Sequence, residues 1–400
     1  MKNYEQISYA KTVYGEEEID AVVKCLREST QMGNYSRKFE SEIAKLFSKE
    51  HCLYVNSGSS ALFIGVEAFE FPAGSEVITP ALTFSTSVGC LVKNNLIPVF
   101  VDVEPLSYNI DVNQIEEQIT DKTVAILAPN LMGNLCDWPA IRKTADKYNL
   151  VVIEDSADTL GATIEGKNSG FYSDMSITSF YGSHIINCAG NGGALAINCN
   201  KVMKRAKLLR SWGRSSSLFD EQSEAIENRF NVDLDGIDYD AKFVFETVGY
   251  NLEGNEVGAA FGMAQLKKLP ENIVTRQNNF ALQSNFFLKH KAYFSNPAEL
   301  HGCNTAWLAF PILIKENAPF SRKEFQIYLE NRNIQTRVVF TGNILRQPMC
   351  KDIEKRVVPG GYPNADSIME RGVLLPLHHG MTDEMFLRLH ETIDEFLSQY

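Results

Sequence analysis

Apolar residues recur three and four positions apart in "GEEEIDAVVKCLRE" and "SRKFESEIAKLFSKE", the spacing of two amphipathic helices near the start of the chain. The pattern then changes. "HCLYVNSG", "SEVITP", "IPVFVDV", "TVAILAP", "LVVIED", "MSITSF" and "GALAIN" are short apolar runs rich in Val and Ile, each bounded by turn residues and most separated by helical stretches. Strands alternating with helices predict an α/β fold whose mainly parallel seven-stranded sheet is covered on both faces. Beyond residue 200 the helical period dominates, through "KVMKRAKLLRSWG" and "NEVGAAFGMAQLKKLPENIVTRQNNFALQSNFFL". A smaller C-terminal α/β unit follows, with the apolar runs "TAWLAFPILI" and "IQTRVVF" and a closing helix "TDEMFLRLHETIDEFLSQ". The expected division is a large domain over residues 1–270 and a small one over 271–400.

Composition narrows the function classes. The 400 residues are 44% apolar and 22% charged, which suits a chain that buries a full core. The formal charge is −12 and no stripe of Lys and Arg tracks a phosphate backbone, so nucleic acid is not an expected partner. "MKNYEQISYAKTVYGEEEIDAVVKCLRE" carries acidic residues where a signal peptide needs an apolar centre, and no window reaches the ~18 apolar residues of a membrane span. The expectation is a cytoplasmic protein without a membrane partner. Its eight cysteines are scattered, with no CxxC pair, so neither a structural zinc nor any other metal site is expected.

In open parallel sheets the chemistry sits in loops at the carboxyl ends of the strands. "YVNSGSSALFIGVEAF" runs from strand into helix through small residues, so the amides of Ser59 and Ser60 can approach an anion; alone, such a turn is more often only a cap. "VVIEDSADTLGA" ends an apolar strand on Glu154 and Asp155, a place where a carboxylate either caps a turn or holds a ring nitrogen protonated. "TPALTFSTSV" places Phe84 after a strand, as a core residue or a stacking face.

In order along the chain, "NSGSSAL", "TPALTFSTS", "PVFVDVEPLSYNID", "APNLMGN", "VIEDSADTLGA", "SDMSITSFYGSHIINCAGNGGALAIN" and "GYNLEGNEVGAAFGMAQLKKL" resemble the fold-type I pyridoxal-phosphate enzymes, and within them the DegT/DnrJ/EryC1/StrS family. The resemblance covers nearly the whole chain. It implies an aspartate-aminotransferase-like fold and a pyridoxal or pyridoxamine 5′-phosphate cofactor. It also implies roles: Ser59, Ser60 and Ser179 at the cofactor phosphate, Phe84 on the pyridine ring, Asp155 at its nitrogen. Asp158 is implied as a further cofactor-site residue. Asn251 matches an asparagine that reaches the phosphate of the neighbouring subunit, which implies a homodimer with shared active sites.

One position departs from the family pattern. The family has a lysine ten residues after an aspartate; here Asp174 is followed ten residues on by His184, and Lys167 and Lys201 lie outside the motifs. A histidine at this place resembles the branch that removes the C3 hydroxyl of nucleotide-linked 4-keto-6-deoxyhexoses. Trp212-Gly213-Arg214, "TGNILRQP" and Asp158 with Leu160 resemble the same branch. Lysine forms a Schiff base with the cofactor and delivers an amino sugar. Histidine cannot hold that link, but a base of near-neutral pKa can move protons for an elimination. The expected activity is therefore a 3-dehydratase with His184 and Asp155 as catalytic residues. A nucleotide-sugar aminotransferase and an inactive cofactor-binding homologue are the alternatives. Relatives bearing an iron–sulfur cluster have closely spaced cysteines after "WGR", whereas "SSSLFDEQSEAIENRF" has none, so no cluster is expected; the expected route renews the cofactor with glutamate or a similar amino donor, and a flavoprotein reductase acting directly on the cofactor is the alternative. Arg210, Arg214, Arg337 and Arg346 stand as anion-binding residues or as surface salt bridges.

Overall fold

The computed structural model describes residues 5–219, 225–230 and 232–400. Residues 1–4 of the acidic N-terminal stretch and 220–224 of the cysteine-free segment lie outside the described residues. All seven apolar runs form strands: β1 His51–Val55, β2 Glu76–Pro80, β3 Ile97–Val101, β4 Thr123–Pro129, β5 Val151–Asp155, β6 Met175–Ser179 and β7 Gly193–Ile197. They make one sheet in the order β1-β7-β6-β5-β4-β2-β3. Four neighbouring pairs are parallel and the two involving β7 are antiparallel, so the sheet is mixed, with β7 as the single reversed strand. The reversal follows from the loop after β6, which returns directly into β7 without the crossover helix that a parallel partner needs.

Alternate side chains of each strand leave on opposite faces. Leu127 and Ile153 join one apolar layer with the helices Gly58–Ala68 and Asn200–Arg210, while Ile126 and Val152 join the other with Trp138 and Ile141. Both faces are therefore covered, as a strand without polar alternation requires. The helix Glu256–Lys289 runs unbroken through Pro270, so the division expected at residue 270 falls inside it. Phe294–Ser295, Phe310–Ile314 and Gly372–Leu375 form a separate antiparallel sheet beyond that helix. "IQTRVVF" forms no strand; Ile334 and Arg337 make isolated bridges to Ile7 and Leu374. Among the described residues no helix is long and apolar enough to cross a membrane, and no cluster of His, Cys, Asp and Glu has the makings of a metal site. All eight cysteines are free thiols.

Candidate active site

A cavity of about 310 Å³ opens at the carboxyl ends of the strands. β1 leads into the helix Gly58–Ala68, whose first residues line the cavity together with Ser57, the cap that accepts from Ser60 N at 3.1 Å. Two glycines make this corner possible. A Cβ on Gly58 would sit 2.8 Å from Ser179 Cβ, and one on Gly193 would sit 2.2 Å from the carbonyl carbon of Ser57. The close packing brings Ser179, the last residue of β6, beside the helix N-terminus.

Asp155 ends β5 at the other side of the cavity, 5% exposed. Ser87 Oγ donates to its Oδ2 at 2.8 Å and Ala157 N to its Oδ1 at 3.2 Å. Burial pushes its pKa up to about 6 against those hydrogen bonds. Asp158 is pushed up to about 7 by burial, opposed by Met132 N, which donates to Oδ2 at 3.0 Å. Phe84 lines the cavity and is 50% exposed, an uncovered ring in a concave site.

His184 lies in the loop between β6 and β7 and lines the same cavity. Its Nδ1 stands 2.6 Å from the carbonyl of Ala157, an acceptor only, so Nδ1 carries the proton. Nε2 is left as the basic nitrogen, 3.9 Å from Asp158 Oδ1. The expected near-neutral pKa is corrected here: burial lowers it to about 4, against the pull of the Ala157 carbonyl. At neutral pH the imidazole is uncharged and ready to accept a proton.

Ser59, Phe84, Asp155, Asp158, Ser179 and His184 thus line one cavity. Ser60 does not, because its hydroxyl turns back to Asn56 Oδ1 at 2.7 Å and lies 2.9 Å from Ser57 Oγ. Asn251 is exposed, outside this chain's cavity, its backbone bridged to Ser211. Of the four arginines, Arg346 is held by both oxygens of Asp366 and Arg210 by Glu40 at 2.9 Å. Sequence reasoning missed Ser57, Tyr181 and Phe340 as lining residues. Ser57 sat inside the quoted "NSGSS" and Tyr181 inside "SFYGSH"; Phe340 comes from far along the chain, and no local pattern signals it.

Residues 13–394 match the DegT/DnrJ/EryC1/StrS aminotransferase family. The chain is 34% identical over 374 residues to the lipopolysaccharide biosynthesis protein RfbH of Salmonella typhimurium, across 91% of this chain and 85% of that protein. It is 32% identical over 377 residues to the dTDP-4-dehydro-2,6-dideoxy-D-glucose 3-dehydratase of Saccharopolyspora spinosa, across 92% of this chain and 81% of that one. Among solved structures, the E. coli GDP-4-keto-6-deoxy-D-mannose-3-dehydratase with bound hydrated PLP is similar with a TM-score of 0.87 at 27% identity, across 97% of this chain and all of that one. The seven-stranded sheet, the motifs at its carboxyl edge and a match along almost the full length agree: this chain belongs to the DegT/DnrJ/EryC1/StrS family.

Proposed function

We propose that this chain is a 3-dehydratase that removes the C3 hydroxyl of a nucleotide-diphosphate-linked 4-keto-6-deoxyhexose. Its cofactor is pyridoxamine or pyridoxal 5′-phosphate, renewed by an amino donor such as glutamate, with no iron–sulfur cluster. The observation that carries the reading is His184, a neutral imidazole with Nε2 as its basic nitrogen, in a cavity whose lining holds no lysine among the described residues.

The cavity fits such a cofactor. An N-terminal helix dipole with Ser59 and Ser179 suits the phosphate, Asp155 suits a protonated ring nitrogen, and the uncovered Phe84 ring suits a planar partner. Bound there, the group supplies an amine for the sugar's C4 ketone and an electron sink. Asp155 keeps that sink effective by holding its negative charge opposite the ring nitrogen, and the approach of a cation lowers its pKa below the value set by burial. With the cofactor bound, His184 Nε2 would accept the proton from the cofactor's C4′ carbon, and the resulting imidazolium would give a proton to the departing C3 oxygen. One side chain serves as base and then acid, while Ala157 holds its tautomer fixed. Asn251 completes the phosphate site of a neighbouring subunit in a cytoplasmic homodimer built from a large domain, 1–270, and a small one, 271–400.

A nucleotide-sugar aminotransferase is the second reading, favoured by the family's description. Incubation with a panel of 4-keto-6-deoxy nucleotide sugars, with and without glutamate, separates the two. Release of a 3-deoxy-4-keto sugar with ammonia is expected. A 4-amino sugar that retains its C3 hydroxyl overturns the proposal.

A further inference from the structure

Met132 holds a backbone conformation that a side chain disfavours. It follows β4 with φ at +58° and ψ at 17°, in the left-handed region, and it is fully buried. Its amide donates to Asp158 Oδ2 at 3.0 Å, and its carbonyl accepts from Leu308 N at 2.7 Å. The next residue, Gly133, has φ at +90°, and a Cβ there would sit 2.7 Å from Ala306 O. Thr305 Oγ1 donates to the Gly133 carbonyl. The turn that supplies the Asp158 donor is therefore clamped against residues 305–308, which lead into the strand Phe310–Ile314 of the smaller sheet.

Arg276 grips the same segment from behind. It lies on the helix Glu256–Lys289, fully buried, and its Nη1 donates to Trp307 O at 3.0 Å and to Leu308 O at 3.1 Å. Its Nε donates to His379 Nδ1 at 3.2 Å, while Nη2 is buried with no hydrogen-bond partner. Burial lowers its pKa to about 10, so the guanidinium stays charged at neutral pH. No carboxylate bonds to it among the described residues. A buried cation without a counter-ion is expensive to keep for packing alone. The bonds that it does make converge on the backbone that holds Met132.

The chain of contacts runs from Arg276 through Leu308 and Met132 to Asp158, whose other oxygen stands 3.9 Å from His184 Nε2. We infer that Arg276 is a positioning residue: by holding the Trp307 and Leu308 carbonyls it fixes the Met132 amide on Asp158 and so keeps that carboxylate turned toward His184. This rests on the dehydratase reading and deepens it. Asp158 is faced by His184, Asp155 and Tyr9, and Arg276 by Tyr9, His184, His378 and His379. Of the contacts to Asp158, the Met132 amide is the one that favours its ionised form against burial, and that form can stabilise an imidazolium at Nε2.

The test compares Arg276→Lys with wild type in the cofactor-loaded protein, each checked for native circular dichroism. Lysine keeps the charge but lacks the planar fork that spans the two carbonyls and His379. With the Met132 amide loosened, the Asp158 titration should move up by about one pH unit. In NMR of isotope-labelled histidine, the His184 resonance, identified by its absence in His184→Asn, should carry the Asp158 step at the higher pH. The dehydration rate should fall about fivefold at pH 7 and recover as pH rises through the new midpoint. In an Asp158→Asn background the same replacement should add no further rate loss. A loss uniform in pH, a step at its wild-type position, or a further loss in the double variant overturns the proposal. If Arg276→Lys does not fold, Thr305→Val, which removes the donor to Gly133, decides by the same two measurements. If the step moves while no nucleotide sugar is dehydrated, the linkage stands and the dehydratase reading falls. Dehydration with an unmoved step does the reverse.

Discussion

Replacing His184 by Asn tests the base through stability as well as rate. Folded His184 is held at a pKa of about 4, whereas an exposed histidine titrates near 6.5. Between those values the unfolded chain binds a proton that the folded one refuses, so stability is lost as pH falls through this window. At pH 7 the loss is negligible. At pH 5 the linkage expression gives ~2 kcal/mol of destabilisation from this one group. Asparagine does not titrate, so urea unfolding of wild type and His184→Asn at pH 7 and pH 5 should show the variant gaining ~2 kcal/mol on wild type over that interval. Contributions from groups that do not face His184 cancel in the difference, while those of Asp155 and Asp158, which lie beside it, change with the substitution. The same variant gives up proton transfer at C4′, and its dehydration rate should drop by ~10²–10⁴ with pyridoxamine phosphate still bound. Parallel pH dependences of stability in the two proteins would show that His184 is not a buried neutral imidazole, and the base assignment would fall with it.

Other substitutions address the remaining parts of the site. Asp155, with a pKa near 6, is ionised above that pH, so wild-type affinity for pyridoxamine phosphate should fall about tenfold from pH 7 to pH 5. Asp155→Asn should bind weakly at pH 7 and lack that step; an equal step in both proteins rules Asp155 out as its source. Gly58→Ala puts a methyl 2.8 Å from Ser179 Cβ, so thermal melting should register ~1–3 kcal/mol of overpacking and cofactor affinity should decline; a variant with wild-type melting and affinity removes the tight cradle from the argument. Mixing inactive His184→Asn and Asn251→Ala subunits should restore about a quarter of wild-type activity. Half the dimers then carry one site with both native residues. No recovery on subunit exchange would mean that Asn251 does not serve the neighbour.

The sheet was legible because each strand is short, apolar and fenced by turn residues, a signal that survives without knowledge of neighbours. The reversal of β7 was not, since nothing in "GALAIN" records whether the loop before it crosses over or turns back. At the site, residues adjacent to strand ends were found from the chain: Asp155 closes β5, Ser179 closes β6, and both line the cavity. Ser60 shows the limit. One helical step past Ser59 rotates a side chain by about 100°, and that rotation carries its hydroxyl to Asn56 and away from the cavity.

The pKa of His184 escaped sequence reasoning for a related reason, and the consequence reaches the mechanism. Its position was readable from spacing, but its proton affinity is set by what encloses it: a carbonyl that fixes the tautomer and a burial that penalises charge. A base with a pKa near 4 is always available at neutral pH, yet it pulls weakly on a carbon-bound proton. The difference must be supplied where the charge develops. We propose that Asp158, 3.9 Å from Nε2 and pushed up to a pKa of about 7 by burial, stabilises the imidazolium when it is ionised. Asp158→Asn keeps the shape and removes that charge. It should slow dehydration at pH 8, where Asp158 is mostly ionised, more than at pH 6, where it is mostly protonated. Equal slowing at both pH values, measured as the ratio of variant to wild-type rate, would mean that Asp158 acts only by shape and that His184 works unaided.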